Sequence, residues 1–470
     1  MGIATIDPAT GETIKTFDTL SDDELWARIE RATHAARSYR LTTFRERAAM
    51  MRRVAELLDA DCEDIARVIT SEMGKTLSAA RAEVIKSADI FRFYAAGAEG
   101  FLADEHMDTT RVGNPRASFV RYQPLGVVLA IMPWNFPLWQ VARFAAPALM
   151  AGNVGLLKHA SNVPQTALLI EEVLERAGLP AGAFQVLFIE ARKAGEVLAD
   201  RRVRGATFTG SSAGGAAVAA EAGGNIKKTV LELGGSDPYV ILPSADVDAA
   251  ARVGVIARAQ NNGQSCIAAK RFIIHESIAE EFEQAFVEGM CALRVGHPTE
   301  AGTDIGPLAT EAGRKLVVDQ VEDARSKGAT ILCGGTAPSQ PGWYFPPTVI
   351  SGITPEMRIY HEEVFAPVAQ LYRVPDVEQA LDLANITDYG LGANVWTRDD
   401  AEEERFIRDF EAGMVFVNGT TTSYPELPFG GIKDSGYGRE LGGAHGIREF
   451  CNVKTVWVGP GHIQTLDRVE

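Results

Sequence analysis

At 470 residues the chain exceeds the size at which one hydrophobic core usually stops growing, so two or three domains are expected, with 46% apolar residues to fill them. A formal charge of -16 leaves no general basic face for a phosphate backbone or an anionic membrane surface, which excludes nucleic-acid and membrane-surface binding and permits at most a local basic pocket. Five cysteines, odd in number and irregularly spaced behind no apolar leader, suit a reducing cytoplasm rather than a disulfide framework.

Ser21 and Glu24 form a capping box that opens a predicted helix over 21–40, with Leu25, Ile29, Ala32 and Ala36 on one face. Helical spacing of apolar residues continues from Phe44 to Leu102, with a break near Gly74. From Arg111 to Gln123, Val112, Phe119, Val120 and Tyr122 alternate with turn residues, which reads as an exposed hairpin or arm and a candidate boundary. The most apolar region, 125–157, is interrupted by Pro133, Asn135, Pro137, Arg143 and Pro147, so it is core rather than a membrane span. Within it, Gly126 to Met132 reads as a strand buried on both faces that ends in a Pro133-Trp134-Asn135-Phe136-Pro137 turn.

Strands predicted at 153–158, 184–189, 205–209 and 229–233 alternate with helices, the pattern of a doubly wound parallel sheet. The alternation restarts after Pro238, with strands at 239–242, 271–275, 329–333, 364–371, 393–397 and 414–418, and implies a second α/β domain. Residues 428–440 are rich in glycine and serine and read as loop. The tail strand 452–458 needs a partner, which either the 111–123 arm or a second subunit supplies.

Cys266 stands apart from the other four cysteines because it follows a polar, glycine-containing stretch, Gln260 to Ser265, rather than lying in an apolar run; it is expected to be offered rather than buried. Together, Pro133-Trp134-Asn135-Phe136-Pro137, Leu231-Glu232-Leu233-Gly234-Gly235, Gly263-Gln264-Ser265-Cys266, Glu362-Glu363-Val364-Phe365-Ala366-Pro367 and Pro428-Phe429-Gly430-Gly431 resemble, in order and across the chain, the aldehyde dehydrogenase superfamily. Each motif alone is weak, since Gly-Gly pairs and turn asparagines are common.

The resemblance implies an α/β fold of two doubly wound domains and a small β oligomerisation arm: a cofactor-binding domain from 1–105 and 125–234, a catalytic domain over 235–434, and an arm and tail at 106–124 and 450–470. It implies Cys266 as nucleophile, Asn135 with the Cys266 backbone N–H as the oxyanion hole, and Glu232 as the base for the deacylating water. An acidic residue inside an otherwise apolar strand also argues against a merely solvated Glu232.

For the cofactor, the resemblance implies that Gly210 and Ser211 open a helix toward the pyrophosphate, although 210–215 lacks the G-x-G-x-x-G spacing. Trp134 and Leu233 would line the pocket, Glu363 and Phe365 would meet the nicotinamide end, and Lys158 the adenine ribose. NAD-preferring relatives carry a glutamate where this chain has Ser161, so NADP is expected to be accepted, with NAD still usable; the competing reading makes Ser161 a cap for the helix beginning near Pro164.

Arg143, two helical turns beyond Asn135, matches the substrate arginine of bacterial succinate semialdehyde dehydrogenases, which the chain also resembles in Leu157-Lys158-His159-Ala160 and Leu233-Gly234-Gly235-Ser236-Asp237-Pro238. A cation in an apolar segment needs a partner, and with few carboxylates nearby in sequence a substrate carboxylate is expected to fill that role. Gln140 and Ser423 are expected beside it. The second arginine of some relatives is Gln260 here, and the cysteine that some carry two residues after the nucleophile is Ala268. Eight histidines show no ligand spacing, and no metal is expected. The expected protein is therefore a cytoplasmic homodimer or homotetramer that oxidises a short carboxylated aldehyde, succinate semialdehyde above all. The alternatives are a broader small-aldehyde dehydrogenase, a CoA-acylating relative, against which Glu232 argues, and a silent structural oligomer of the same fold.

Overall fold

The computed structural model describes residues 2–108 and 115–459. An antiparallel pair, Ile3–Ile6 with Thr13–Phe17, precedes the first helix and carries no alternation strong enough to announce it. Helix Asp22–Tyr39 begins with the expected capping box, and a second box at Thr43 and Glu46 starts helix Phe44–Ala60. The remaining helical stretch divides into Cys62–Met73 and Leu77–Phe101, separated by Gly74 at φ +80. A Cβ at Gly74 would meet the Pro307 carbonyl oxygen at 2.8 Å, so both the left-handed backbone and the close approach require glycine.

Six strands form the first sheet, in the order Gly436–Tyr437, Lys228–Glu232, Val203–Thr209, Val127–Met132, Val154–His159 and Phe184–Val186. All pair in parallel except the edge strand Gly436–Tyr437, which runs antiparallel to Lys228–Glu232. The chain leaves Val127–Met132 toward one side, then returns to build the other, so this strand marks the switch point where open α/β sheets leave a crevice at their carboxyl ends. All six of its residues are buried, as are all twelve of helix Trp139–Met150 that follows, which makes the 125–157 region core. No helix among the described residues is long and apolar enough to cross a membrane.

The second sheet has seven strands, in the order Thr330–Cys333, Thr348–Ser351, Val368–Val374, Ala269–His275, Asp237–Ile241, Gly392–Trp396 and Met414–Val417, with only the first antiparallel. The tail strand Cys451–Val458 finds its partner within the chain: it pairs antiparallel with Ala117–Pro124, from Cys451 opposite Pro124 to Val458 opposite Ala117, and Glu105–His106 completes a three-stranded sheet. Residues 109–114 of the expected arm, and 460–470 of the expected tail, lie outside the described residues.

Two expectations are corrected. The 428–440 segment is not plain loop but holds four two-residue strands, Pro428–Phe429, Ile432–Lys433, Gly436–Tyr437 and Glu440–Leu441, too short for any periodicity to register. The five cysteines are not all free: Cys291 and Cys333 are joined as a disulfide, with Cα atoms 6.1 Å apart, while Cys62, Cys266 and Cys451 remain thiols. The pair unites the end of helix Ala279–Cys291 with the edge strand Thr330–Cys333, a juxtaposition created by tertiary packing and invisible in residue spacing.

Candidate active site

The chain approaches Cys266 through a tight turn, Gln260–Gly263, in which Asn261 and Asn262 both take φ 56 and Gly263 φ +73. Asparagine tolerates this left-handed region because its short amide finds local partners. Asn262 Nδ2 donates to the carbonyls of Gly74 and Pro307, each at 2.9 Å, and its Oδ1 accepts from the Gly306 N–H at 3.0 Å. Asn261 Nδ2 donates to the carbonyls of Asn135 at 2.8 Å and Gln264 at 3.0 Å. Gly263 lies so close against the Ala366–Pro367 peptide that a Cβ has no room. The turn therefore folds inward, and the expectation of an offered thiol is corrected: Cys266 is only 9% exposed.

Access comes instead through two cavities that share Cys266 and Gln140 as a common wall. The smaller, about 220 Å³, reaches Cys266 past Trp139, Arg143 and Ser423; the larger, about 400 Å³, reaches it past Trp134, Gly210, Ser211, Leu233, Glu363 and Phe365.

Glu232, at the carboxyl end of its strand and 1% exposed, accepts from the Cys266 thiol, with Oε2 3.8 Å from Sγ. Burial pushes its carboxyl up to about 7, against the neighbouring Arg143 and with the help of Glu440. Burial, reinforced by Glu232, likewise holds the Cys266 thiol well above the ordinary thiol range, so the resting pair is a thiol facing a potential base.

Arg143 corrects a further expectation. It does not lack protein carboxylates: Nη2 donates to Glu232 Oε2 at 3.2 Å, Nε pairs with Glu440, and the guanidinium lies 4.5 Å from the Phe429 ring centroid. Glu440 was missed because it sits far downstream in a two-residue strand, where sequence offers no sign that it faces Arg143.

Asn135 is fixed from three directions. Its Nδ2 donates to the Gln264 carbonyl at 3.1 Å, its Oδ1 accepts from Gln140 Nε2 at 3.0 Å, and its own carbonyl accepts from Lys75 Nζ at 2.9 Å. Gln140, expected at the substrate, lines the smaller cavity and gives one of its two amide N–H bonds to orienting Asn135. The Leu138 and Trp139 N–H groups donate to Glu83, itself paired with Lys75, so a buried ion pair from the helical layer anchors the turn. On the other side of Cys266, Lys270 Nζ donates to the Ser265 and Cys266 carbonyls at 3.0 and 2.8 Å and pairs with Glu363 at 3.0 Å. Close backbone packing completes the wall: a Cβ on Gly235 would meet the Cys266 carbonyl oxygen at 2.6 Å.

In the larger cavity Ser211 caps helix Ser212–Gly224, its Oγ accepting from the Gly214 N–H at 3.2 Å, and that helix N-terminus suits an anionic group. Trp134 and Phe365 meet edge to face, with centroids 5.7 Å apart. Lys158 and Ser161 do not line this cavity; they lie at the end of the adjoining strand, where Lys158 stands opposite Ile131. Ser161 does not cap the next helix: Val163 is the N-cap residue, and the Gln165 and Thr166 N–H groups donate to Glu72 instead. That leaves Ser161 exposed, shortly after Lys158 in the chain, and Lys158 has no ion-pair partner among the described residues. A phosphate-bearing dinucleotide fits this donor set. Among the described residues no group of histidine, cysteine or carboxylate side chains is arranged to hold a metal ion.

The model of the aldehyde dehydrogenase family matches residues 1–456. The chain belongs to the aldehyde dehydrogenase family. Similar proteins include the succinate-semialdehyde dehydrogenase [NADP(+)] 1 of Mycobacterium tuberculosis, 58% identical over 458 residues, covering 97% of this chain and all of that protein. The protein of the same name from Mycobacterium ulcerans is 59% identical over 460 residues, covering 98% and 100%. Among solved structures, the succinic semialdehyde dehydrogenase of Streptococcus pyogenes in complex with NADP+ aligns with a TM-score of 0.94 at 38% identity, covering 97% of this chain and 100% of that one.

In this aldehyde dehydrogenase, then, the motif residues Asn135, Glu232, Cys266, Glu363 and Phe365 are gathered at one place. Residues outside the motifs complete it: Lys75 and Glu83 beneath the Asn135 turn, Lys270 behind Cys266, Glu440 beside Arg143, and Lys86 in the smaller cavity. Lys86 carried one available signal, a lysine among the apolar positions of a long helix, and it resembles any solvated lysine until the neighbouring chains are in place.

Proposed function

We propose that this aldehyde dehydrogenase oxidises succinate semialdehyde to succinate with NADP, as a cytoplasmic homo-oligomer. The observation that carries the chemistry is the Cys266 thiol, within 3.8 Å of Glu232, at the wall shared by two cavities. The substrate and cofactor rest on the names of relatives that are 58% and 59% identical end to end, and on Ser161 in place of a carboxylate beside Lys158.

Glu232, directly or through water, takes the Cys266 proton, and Sγ bonds to the aldehyde carbon while the carbonyl oxygen gains the electron pair. That oxygen lies between the Asn135 amide and the Cys266 backbone N–H, donors worth about 3 kcal/mol each in comparable sites. NADP, when bound, supplies the acceptor for the hydride that leaves the same carbon. Collapse of the oxyanion restores the C=O bond as a thioester. Glu232, after releasing the first proton to solvent, takes a proton from the attacking water, and the C–S bond then breaks to give the acid, which ionises, and the Cys266 thiolate, which regains a proton. The dinucleotide would be held in the larger cavity by Gly210 and Ser211 at its pyrophosphate and by Trp134, Leu233, Glu363 and Phe365, and would extend beyond that cavity to bring its adenine ribose to Lys158 and Ser161.

The test is reduction of NADP and of NAD by purified protein with succinate semialdehyde, with and without CoA, together with mass spectrometry of protein quenched during turnover. Free succinate irrespective of CoA, faster reduction of NADP, an acyl adduct on Cys266 and no turnover by Cys266→Ala are expected. Normal turnover by Cys266→Ala, or an adduct elsewhere, overturns the mechanism.

A further inference from the structure

The smaller cavity contains two cations, and only one has carboxylate partners of its own. Arg143 lies between Glu232 and Glu440. Lys86, half-buried on helix Leu77–Phe101, donates to Ser423 Oγ at 2.7 Å and sits 4.4 Å from the Trp139 ring centroid. Among the described residues it has no carboxylate within ion-pair reach. Glu83, one turn away, is held by Lys75 and by the Leu138 and Trp139 N–H groups, and Asp89 by Arg92. A cation in a mostly apolar cavity whose nearby carboxylate, Glu83, is already paired with Lys75 favours an anionic ligand.

Stereochemistry adds to the charge argument. Ser423 accepts from Lys86, so its O–H remains free to donate, and Lys86 has two further N–H bonds to give. Gln260 lines the same cavity, and its Nε2 has no hydrogen-bond partner among the described residues. Because Cys266 lines this cavity as well, an anionic group bound at Lys86 would share a small chamber with the nucleophile.

Resting on the reading of a carboxylated aldehyde as substrate, we infer that Lys86 and Ser423, rather than Arg143, form the seat for the carboxylate distal to the reacting carbonyl. Arg143 instead holds Glu232 and Glu440, and Lys86 sets the preference for acid aldehydes. Burial pushes the Lys86 ammonium down to about 8, with Arg143 contributing, which still leaves it mostly charged at neutral pH.

The experiment measures kcat/KM for succinate semialdehyde and for butanal, and inhibition by succinate, in wild type, Lys86→Met, Lys86→Arg and Ser423→Ala. Lys86→Met is expected to lower the acid-to-butanal ratio of kcat/KM by about tenfold or more, mainly through KM for the acid, and to weaken succinate inhibition in parallel. Lys86→Arg is expected to retain most of the ratio, and Ser423→Ala, which keeps the charge, to lower it by roughly threefold. A Lys86→Met ratio that falls by less than tenfold, or a Ser423→Ala ratio unchanged should Lys86→Met not fold, overturns the seat. A wild-type enzyme with no preference for the acid overturns the substrate reading itself, a result visible before any variant is made.

Discussion

Glu232 is protonated over much of the range below neutrality because burial and the nearby Glu440 hold its carboxyl up to about 7. In the proposed mechanism its work on water needs the ionised form, so thioester hydrolysis should rise as pH increases through about 7 and be lost as pH falls below it. Glu440→Gln removes one negative charge facing Glu232 and leaves Arg143 more fully to it; both effects lower the Glu232 pKa. The rising limb of the single-turnover hydrolysis rate should therefore move to lower pH, by roughly one unit, whereas an unmoved limb would separate Glu440 from the base. At this scale the sequence was informative where compact motifs mark residues that the fold brings together, as for Asn135, Glu232 and Cys266. It was silent about Glu440 and Lys86, whose meaning depends on which distant charges lie opposite them.

The turn before Cys266 shows what an element contributes beyond its residues. Two consecutive asparagines and a glycine, all left-handed, let the chain reverse beneath Asn135, and the amides that satisfy the turn also fix the Gly74, Gly306 and Pro307 backbones. Gly263→Ala would meet an unfavourable φ of about +73 and a peptide with no room for a methyl group. A loss of about 2 kcal/mol or more is expected, read as a lowered melting temperature together with a reduced kcat, since the same displacement moves Cys266. Strands such as Val127–Met132 were legible because six buried residues in a row leave a compositional trace. The two-residue strands of 428–440 and the disulfide between Cys291 and Cys333 leave none, because each is created by a partner remote in sequence.

Across the whole molecule, the sheet made by Ala117–Pro124 and the tail strand ends in an open edge among the described residues, with Val453 61% and Trp457 50% exposed on it. Exposed edges of this kind invite another chain unless charge discourages it. If the homo-oligomer forms here, Val453→Lys with Trp457→Lys should reduce the sedimentation mass at a fixed protein concentration, while far-UV circular dichroism stays unchanged. A wild-type monomer, or an unaffected mass, removes this edge from the assembly. The alternation of strands and helices that the sequence predicts matches the two large sheets, whereas the self-pairing of the tail remained one of two options until strand register decided it.

Since Cys266 and Gln140 form the bulkhead between the two chambers, the proposed function gives the dinucleotide and the aldehyde separate vestibules, so that they need not queue for one entrance. A rigid inhibitor spanning both would have to push the nucleophile aside. Tight, selective blockers of this enzyme should therefore be short acids that stay on one side of the bulkhead, or electrophiles that attach to it.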